Sequence, residues 1–250
     1  MTSCFCLFGS AFVGPNIVAT LYDLSRLAFT TIGSIDFNRV GAIAFDNSGT
    51  ATSLFGISSA TQDLLAIDPF TGAGTSIATI SSAEFDLFFD MSFRPSDNVL
   101  FAWSASMLDG FVHLVTIDLL GNLTDLGPSL PFSAGFALAF DGNGVNPTLF
   151  GSALVPATPS VDLFLVNQSN GAVTNLGTLA FLGFPPPTFS FRLNAMTWEC
   201  SSNFFLASVI DAQPTGGGGA VANYVGRLNI NSLSVINLGT TVQGLDAVAI

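Results

Sequence analysis

The chain alternates short apolar segments with turns rich in Asn, Asp and Gly, and the same order of segments returns several times. Each unit contains a strand that ends in an aromatic residue, a second strand, a third strand that ends near Ile-Asp, and a Thr-x-Leu-Gly strand. Residues 6–15 (CLFGSAFVGP) and residues 148–157 (TLFGSALVPA) have closely similar sequences, which indicates an internal repeat. Four short strands separated by turn residues are typical of one blade of a β-propeller.

The aromatic residues that end the first strands recur at intervals of about fifty residues. They are Phe45, Phe93, Phe140 and Trp198. The N-terminal part instead begins with a second strand at residues 5–12, followed by a third and a fourth at 20–24 and 29–33, whereas residues 244–250 form a first strand. We expect these segments to pair, because closing the ring covers strand edges that would otherwise favour aggregation.

The predicted fold class is therefore all-β, a five-bladed β-propeller in one domain, closed by pairing of the C-terminal strand with three N-terminal strands. The expected blades are residues 244–250 with 4–34, then 40–80, 88–128, 135–178 and 192–240. Small and large side chains alternate along each first strand, for example Ala42 and Ala44 against Ile43 and Phe45. Because such residues face opposite sides of a sheet, we expect the large face of one blade to pack on the small face of the next.

The charge of the chain is sparse and strongly acidic. Five arginines and seventeen acidic residues give a net charge of −12, and there is no lysine. Nucleic acid is not an expected partner, because its phosphates require cationic contacts. The mean hydropathy is +0.61, yet no apolar run approaches the ~18 residues of a membrane helix. We therefore expect no membrane span.

A surface of about 10,000 Å² would carry about one charge per 500 Å², far fewer than soluble monomers usually have. Two interpretations remain open: the surface is polar and neutral, as in extracellular proteins, or other copies of the protein cover part of it. The N-terminal residues lack the basic start of a signal peptide, so an extracellular location would require a removed leader or another export route.

The cysteines and sequons indicate possible covalent features. Cys4 and Cys6 lie two residues apart on one strand, a poor geometry for a mutual disulfide. Cys4 and Cys200 are expected at the same end of neighbouring blades, so a bridge between them is one alternative and free thiols are the other. Asn122 and Asn167 stand in glycosylation sequons, both in hairpins between third and fourth strands. Three cysteines without a His partner do not form a zinc site, and we expect no metal or other cofactor.

Residues suited to catalysis are few. His113 begins a third strand where other copies carry Asp, so a polar residue entering a strand explains it better than a Ser-His-Asp arrangement. Asp90, Asn194 and Asp246 lie in or beside first strands, near the expected mouth of the central channel. They can form a polar rim, a ligand site or, least favoured, the paired carboxylates of a polysaccharide hydrolase. We expect no catalytic residue and no enzymatic activity.

The long segment between the fourth and fifth units is expected at the end of the ring opposite the sequons. It carries Phe181, Phe184 and Phe189 beside a run of three prolines. Extended Pro-rich backbone with protruding Phe side chains can form a contact surface. The alternative is that these rings cover the end of the hydrophobic core.

Residues 64–72 read LLAIDPFTG and are followed by Thr-Ser-Ile. In this pattern of turns and core positions the chain resembles secreted bacterial and archaeal β-propellers of the YVTN/NHL-like kind. The resemblance extends over the whole chain, although Ile-Asp-Pro-x-Thr-Gly is intact only once. It implies a propeller at the cell surface or outside the cell, and it transfers no functional residues, because propellers host binding, scaffolding and catalysis alike.

These observations predict a non-enzymatic extracellular scaffold that contacts other copies of itself or another surface protein. If one end of the ring fits the opposite end of the next copy, the assembly is an open filament. A module that recognises a glycan or another ligand is the alternative, and a polysaccharide hydrolase or lyase is the least favoured function.

Overall fold

A computed structural model describes residues 8–12, 18–23, 30–46, 53–131, 136–142, 146–155, 160–188, 190–199, 204–211, 222–241 and 245–249. These residues form β-strands joined by turns, and none of them belongs to a helix that could cross a bilayer. The strands are β1 (Phe8–Phe12), β2 (Val18–Asp23), β3 (Thr30–Asn38), β4 (Val40–Phe45), β5 (Leu54–Ser58), β6 (Asp63–Ile67), β7 (Gly74–Thr79), β8 (Phe85–Arg94), β9 (Val99–Ser106), β10 (Phe111–Asp118), β11 (Leu123–Pro131), β12 (Ala137–Phe140), β13 (Leu149–Val155), β14 (Ser160–Val166), β15 (Val173–Thr178), β16 (Ala180–Leu182), β17 (Phe191–Glu199), β18 (Phe204–Asp211), β19 (Ala222–Asn229), β20 (Ser234–Thr240) and β21 (Leu245–Ala249).

The strands form five small sheets, which are the blades of a five-bladed β-propeller. The predicted fold class is confirmed. Blade 1 contains β21 and β1–β3, and blades 2, 3 and 4 contain β4–β7, β8–β11 and β12–β15. Blade 5 contains β17–β20, with β16 added at its outer edge. In blade 1 the C-terminal strand β21 pairs with β1, so that Phe8 lies opposite Ala249 and Ser10 opposite Ala247.

The first strand of each blade lies at the centre of the ring. These strands are β21, β4, β8, β12 and β17, and each contacts the next one round the ring. Between blades, an aromatic ring from a second strand packs against the aromatic residue that ends the next first strand. Three such pairs are Phe8–Phe45, Phe55–Phe93 and Phe101–Phe140, with ring centroids 5.3–5.9 Å apart.

The recurring Asp or Asn at the end of each third strand builds the hairpin that follows it. In four blades its side-chain Oδ1 accepts the backbone N–H two residues ahead at 2.8–2.9 Å, which is an Asx turn. The four residues are Asp68, Asp118, Asn167 and Asn229. The turn ends in a left-handed residue, a role filled by glycine in blades 2 to 4 and by Leu233, at φ 47°, in blade 5.

These hairpins also hold neighbouring blades together. The turn of blade 4 approaches the fourth strand of blade 3 so closely that a Cβ on Gly171 would lie 2.4 Å from the carbonyl oxygen of Gly127. Ser129 Oγ donates a hydrogen bond of 2.7 Å to the carbonyl of Gly171 at the same contact. The conserved shape of the repeat therefore serves contacts between blades as well as the turn itself.

The outer edge of blade 5 is covered by a strand that the sequence pattern did not predict. β16 pairs with β20 in parallel, with Ala180 opposite Ser234, and Ala180 N–H donates to the carbonyl of Leu233 at 2.9 Å. β16 covers β20 over three residues, from Ser234 to Ile236, so this part of β20 offers no unpaired backbone to another chain. The segment between the fourth and fifth blades is therefore partly a sheet strand.

Candidate functional site

The ring has two ends with different elements. First strands begin at what we call the upper end, which also carries the turns between second and third strands, such as residues 59–62 and 107–110. They finish at the lower end, which carries the hairpins between third and fourth strands, such as residues 68–73 and 118–122. This assignment follows from the antiparallel order of the strands in each blade.

The mouth of the channel at the upper end is built by irregularities in the first strands. Register shifts insert extra residues into four of these strands: Gly41 in β4, Asp86 and Phe89 in β8, Asn194 in β17 and Asp246 in β21. Bulges of this kind turn a side chain out of the regular ladder and are frequent at barrel rims and near sites. In blade 4 Phe136 precedes β12 at the aligned position, and its ring lies 4.7 Å from that of Phe89. The two rings therefore pack against each other between blades 3 and 4, where Phe136 is buried in the core.

Asp90 lies below this mouth with its carboxylate fully buried. Its Oδ2 accepts hydrogen bonds from the backbone N–H groups of Leu138, at 2.8 Å, and Met196, at 3.1 Å, and its Oδ1 accepts one from Met91 at 3.0 Å. These amides belong to the first strands of blades 4, 5 and 3. One carboxylate therefore pairs inner strand edges that have no neighbouring strand.

The environment of Asp90 makes it a cross-link between blades. Burial raises the pKa of Asp90 well above its usual range, and the three amide hydrogen bonds act in the opposite direction. Both carboxylate oxygens are occupied and none of the residue's surface is exposed. A ligand in the channel could reach this carboxylate only by displacing backbone hydrogen bonds.

His113 is held between two carboxylates at the upper end of blade 3. Its Nδ1 lies 3.0 Å from Asp125 Oδ1 and its Nε2 lies 2.9 Å from Asp109 Oδ2, while the Phe85 ring packs against the imidazole. Burial alone lowers the pKa of His113, but the hydrogen bonds with Asp109 and Asp125 outweigh it, so the pKa lies above the ordinary value. The protonated imidazole donates to both acids.

The same position in blade 4 shows that this arrangement is structural. Asp162 occupies the place of His113 and accepts hydrogen bonds from Asn175 Nδ2 and Thr178 Oγ1, both at 2.7 Å. Asn175 stands where blade 3 has Asp125. Blades 3 and 4 therefore both join their third and fourth strands through a pair of polar side chains at this position, and in blade 3 that pair is His113 with Asp125.

Replacing His113 by Gln is expected to remove a pH-dependent part of the stability. The raised pKa means that the imidazolium stabilises the fold fully below about pH 6.5 and loses this effect as the pH rises through the folded-state value. We expect His113→Gln to cost about 1 kcal/mol at about pH 5.5, a value reduced by the partial exposure of both acids, and much less at about pH 8.5. Urea unfolding of both proteins at the two pH values measures this; a cost that does not change with pH would contradict it.

A groove of about 590 Å³ opens at the upper end between blades 2 and 3. Arg39 and Ser59 of blade 2 form one side, and Asp86, Leu87 and Met107 of blade 3 form the other. The guanidinium of Arg39 is exposed, and within the described part of the chain it has no carboxylate partner. The groove therefore combines an apolar wall with two charges of opposite sign, the guanidinium of Arg39 on the side of blade 2 and the carboxylate of Asp86 on the side of blade 3.

Large apolar side chains are exposed at the upper end of blade 3 and at the lower ends of blades 2 and 3. At the upper end of blade 3, Met107 is 68% exposed and Leu108 is 80% exposed. At the lower end, Phe70 of blade 2 is 86% exposed and Leu120 of blade 3 is 79% exposed. Single exposed apolar residues are common, but clusters at a rim with few charges are typical of interaction surfaces.

The Phe residues predicted to form a contact surface lie against the core of blade 5. Phe181 and Phe184 are half-buried, with ring centroids 5.6 Å apart, and both contact Phe191. Phe184 also meets the ring of Tyr224 at 5.4 Å. This places the two residues where the alternative interpretation had them, over the core between blades 4 and 5. Phe189 lies outside the described residues.

The remaining candidate residues are placed as follows. Asn122 and Asn167 are exposed in lower-end hairpins, and Asn122 Nδ2 donates a hydrogen bond of 2.8 Å to Asp118. Their glycosylation stays a prediction. Asn194 and Asp246 occupy bulge positions of adjacent blades. Cys4 and Cys200, the predicted disulfide pair, lie outside the described residues, as does Cys6. Among the side chains that the structure describes, no group of three or more His, Cys, Asp or Glu is arranged to hold a metal ion.

No protein-family model matches the sequence, and no curated protein sequence matches it. Solved structures do resemble the fold. A protein in the crystal structure of a nidogen/laminin complex aligns over 98% of this chain and 97% of its own, with 12% identity and a TM-score of 0.56. A putative gluconolactonase aligns over 97% of this chain and 81% of its own, with 15% identity and a TM-score of 0.55.

TolB from Acinetobacter baumannii aligns over 96% of this chain but 54% of its own length, with 14% identity and a TM-score of 0.54. At such identities the likeness extends to the fold alone. The neighbours include proteins with gluconolactonase in their names as well as a protein of a nidogen/laminin complex, so they do not select one activity for this chain. The class that the fold defines is the β-propeller.

Proposed function

We propose that the protein is a non-enzymatic extracellular scaffold whose ends bind other copies of the same chain. The observation that carries this proposal is the exposure of large apolar side chains at both ends of the ring, with Met107 and Leu108 at the upper end of blade 3 and Phe70 and Leu120 at the lower ends of blades 2 and 3. Charged surface residues normally keep a protein soluble and monomeric, and this chain has few of them to offset the exposed apolar side chains.

The state of the central channel supports a scaffold over a catalyst. Asp90, the buried carboxylate of the channel, is engaged by three backbone amides, and His113 is engaged by two acids away from the channel. These groups fix strands in place. The acid and base of a hydrolase need surface that a substrate can reach.

An extracellular location is in keeping with the sparse charge and with the resemblance to secreted propellers.

Another surface protein that covers the same apolar residues is the competing partner. It would leave the isolated chain monomeric, whereas self-association needs no second component.

We expect the sedimentation coefficient of the pure protein to rise with concentration in about 0.15 M salt, where the repulsion between acidic copies is screened to within about 8 Å. Sedimentation velocity over a hundredfold range of concentration, about 1 to 100 µM, measures this. A single 25.9 kDa species throughout that range would contradict self-association.

A further inference from the structure

The lower end of blade 2 presents an apolar knob next to an acid. Phe70 lies at the tip of the hairpin between β6 and β7 and is almost fully exposed. Asp68 shapes this tip, because its Oδ1 accepts hydrogen bonds from the backbone of Phe70 and Thr71. The same bonds hold the pKa of Asp68 below its usual range, so the carboxylate stays ionised beside the exposed ring.

The hairpin does not need a phenylalanine at this position. The aligned residues are Leu120 in blade 3, Ser169 in blade 4 and Asn231 in blade 5, and each follows an Asx residue that makes the same turn. Phe70 also lies outside the hydrophobic core clusters of the described residues. Neither turn geometry nor packing within the chain therefore accounts for an exposed ring here.

The knob and the groove are complementary in chemistry. The groove between blades 2 and 3 has an apolar wall at Leu87 and Met107, with Asp86 beside that wall and the exposed guanidinium of Arg39 on the facing side. The knob offers an aromatic ring and, two residues before it, a carboxylate. An aromatic side chain such as Phe buries roughly 150–250 Å² when enclosed. Insertion into the groove would therefore remove from water the ring of Phe70, which is 86% exposed.

Their positions in the fold also correspond. β6 runs from Asp63 at the upper end to Ile67 at the lower end, so the Phe70 hairpin lies at the opposite end of blade 2 from Arg39 and Ser59. Leu120 likewise lies at the opposite end of blade 3 from Met107. A second copy shifted along the propeller axis therefore brings its lower hairpins towards the groove of the first without a large rotation.

We propose that the Phe70 hairpin of one copy inserts into the groove between blades 2 and 3 of the next, with Asp68 of the first facing Arg39 of the second. This inference rests on the proposed function and specifies its contact. The knob and the groove are different surfaces, so a pair of copies still has one free knob and one free groove, and the contact continues into an open head-to-tail stack.

The repeats of the chain supply substitutions that preserve the turn. Blade 4 has Ser169 at the position of Phe70 and Asn167 at the position of Asp68. Phe70→Ser and Asp68→Asn therefore introduce residues that already form the same turn elsewhere in this chain. Met107→Asp places a carboxylate in the apolar wall of the groove, at a residue that is exposed and therefore not needed for folding. Ile77→Ser is the matched control, since Ile77 is a half-exposed apolar residue on the outer strand β7, away from both ends.

We expect Phe70→Ser and Met107→Asp each to weaken association at least about tenfold, measured by sedimentation velocity, with Ile77→Ser unchanged. A mixture of the first two variants tests the pairing itself. Phe70→Ser keeps an intact groove and Met107→Asp keeps an intact knob, so the mixture should form heterodimers that do not grow further. Asp68→Asn and Arg39→Gln should each weaken association several-fold, and their combination should weaken it no more than either alone.

The outcomes separate the inference from the proposed function. If the wild type associates and Phe70→Ser or Met107→Asp has no effect, the knob-and-groove contact is wrong while self-association stands. If both variants are defective but their mixture stays monomeric, the two surfaces do not meet each other and the inference is wrong. A wild type that never associates overturns the inference and the self-association on which it rests.

Discussion

Replacing Asp90 by alanine is expected to lower the free energy of unfolding by about 3–5 kcal/mol, one of the largest effects of any single substitution in this chain. The carboxylate is the acceptor for the amides of Leu138, Met196 and Met91, all of them in or beside the buried centre of the ring. Removing it leaves three buried donors without a partner, each of which costs about 1–3 kcal/mol before water or relaxation compensates.

The four aligned residues in the other blades are alanines, so the methyl group itself fits at this position. They are Ala42, Ala137, Ala195 and Ala247. Asp90→Asn is the matched control, because its side-chain oxygen can still accept from Leu138 and Met196 while its amide group faces the N–H of Met91. We expect Asn to cost about half as much as Ala in guanidinium unfolding at neutral pH. A loss below about 1 kcal/mol for Asp90→Ala would show that the cross-link is unimportant.

Gly151→Ala is expected to destabilise the protein by about 3 kcal/mol, at the upper end of the range for an overpacked core. A Cβ at this position would lie 2.1 Å from Cη2 of the buried Trp103 of blade 3, and the indole is enclosed on its other side by Phe136. The indole N–H of Trp103 is buried without an acceptor among the described residues, which indicates that this side chain is present for its volume.

Gly56→Ala in blade 2 is the matched control. A Cβ there meets the side-chain ends of Ile67 and Val40, which can move, so we expect a cost of about 1 kcal/mol. Trp103→Leu should relieve the clash, so that the double variant with Gly151→Ala loses less stability than the sum of the two single variants. Additive losses in thermal or denaturant unfolding would mean that Trp103 and Gly151 do not constrain each other.

Much of the fold could be predicted from the sequence because the chain repeats. The turn residues and the closing aromatics are local signals that occur several times, so the strands of each blade and the count of five were readable. Strand β16 was missed because three residues paired in parallel with a distant strand have no periodicity of their own.

The candidate site was harder to predict, since it depends on contacts between blades. Asp90 is an acid at a position where the other four first strands have alanine, and this difference can be seen in the sequence. Its three amide partners could not be predicted, because they lie on different blades. The partners of His113 could not be assigned either. Asp109 lies in the preceding turn and Asp125 follows a bulged pairing, so the register of the hairpin decides which acids reach the imidazole.

The groove beside Arg39 had no sequence signal, because it lies where residues of two blades meet at the end of the ring. The Phe-rich segment had a strong signal, but sequence alone could not decide between an exposed surface and a cover for the core. Phe181 and Phe184 pack with Phe191, which is possible only because β16 holds this segment along blade 5.

Electron microscopy of the pure protein at rising concentration tests most directly whether the ends of the propeller carry its function. We predict rods one propeller wide, in which the ring axes run along the rod and every junction joins an upper end to a lower end. Isolated rings at every concentration, or assemblies in which propellers touch through their outer strands, would contradict the account.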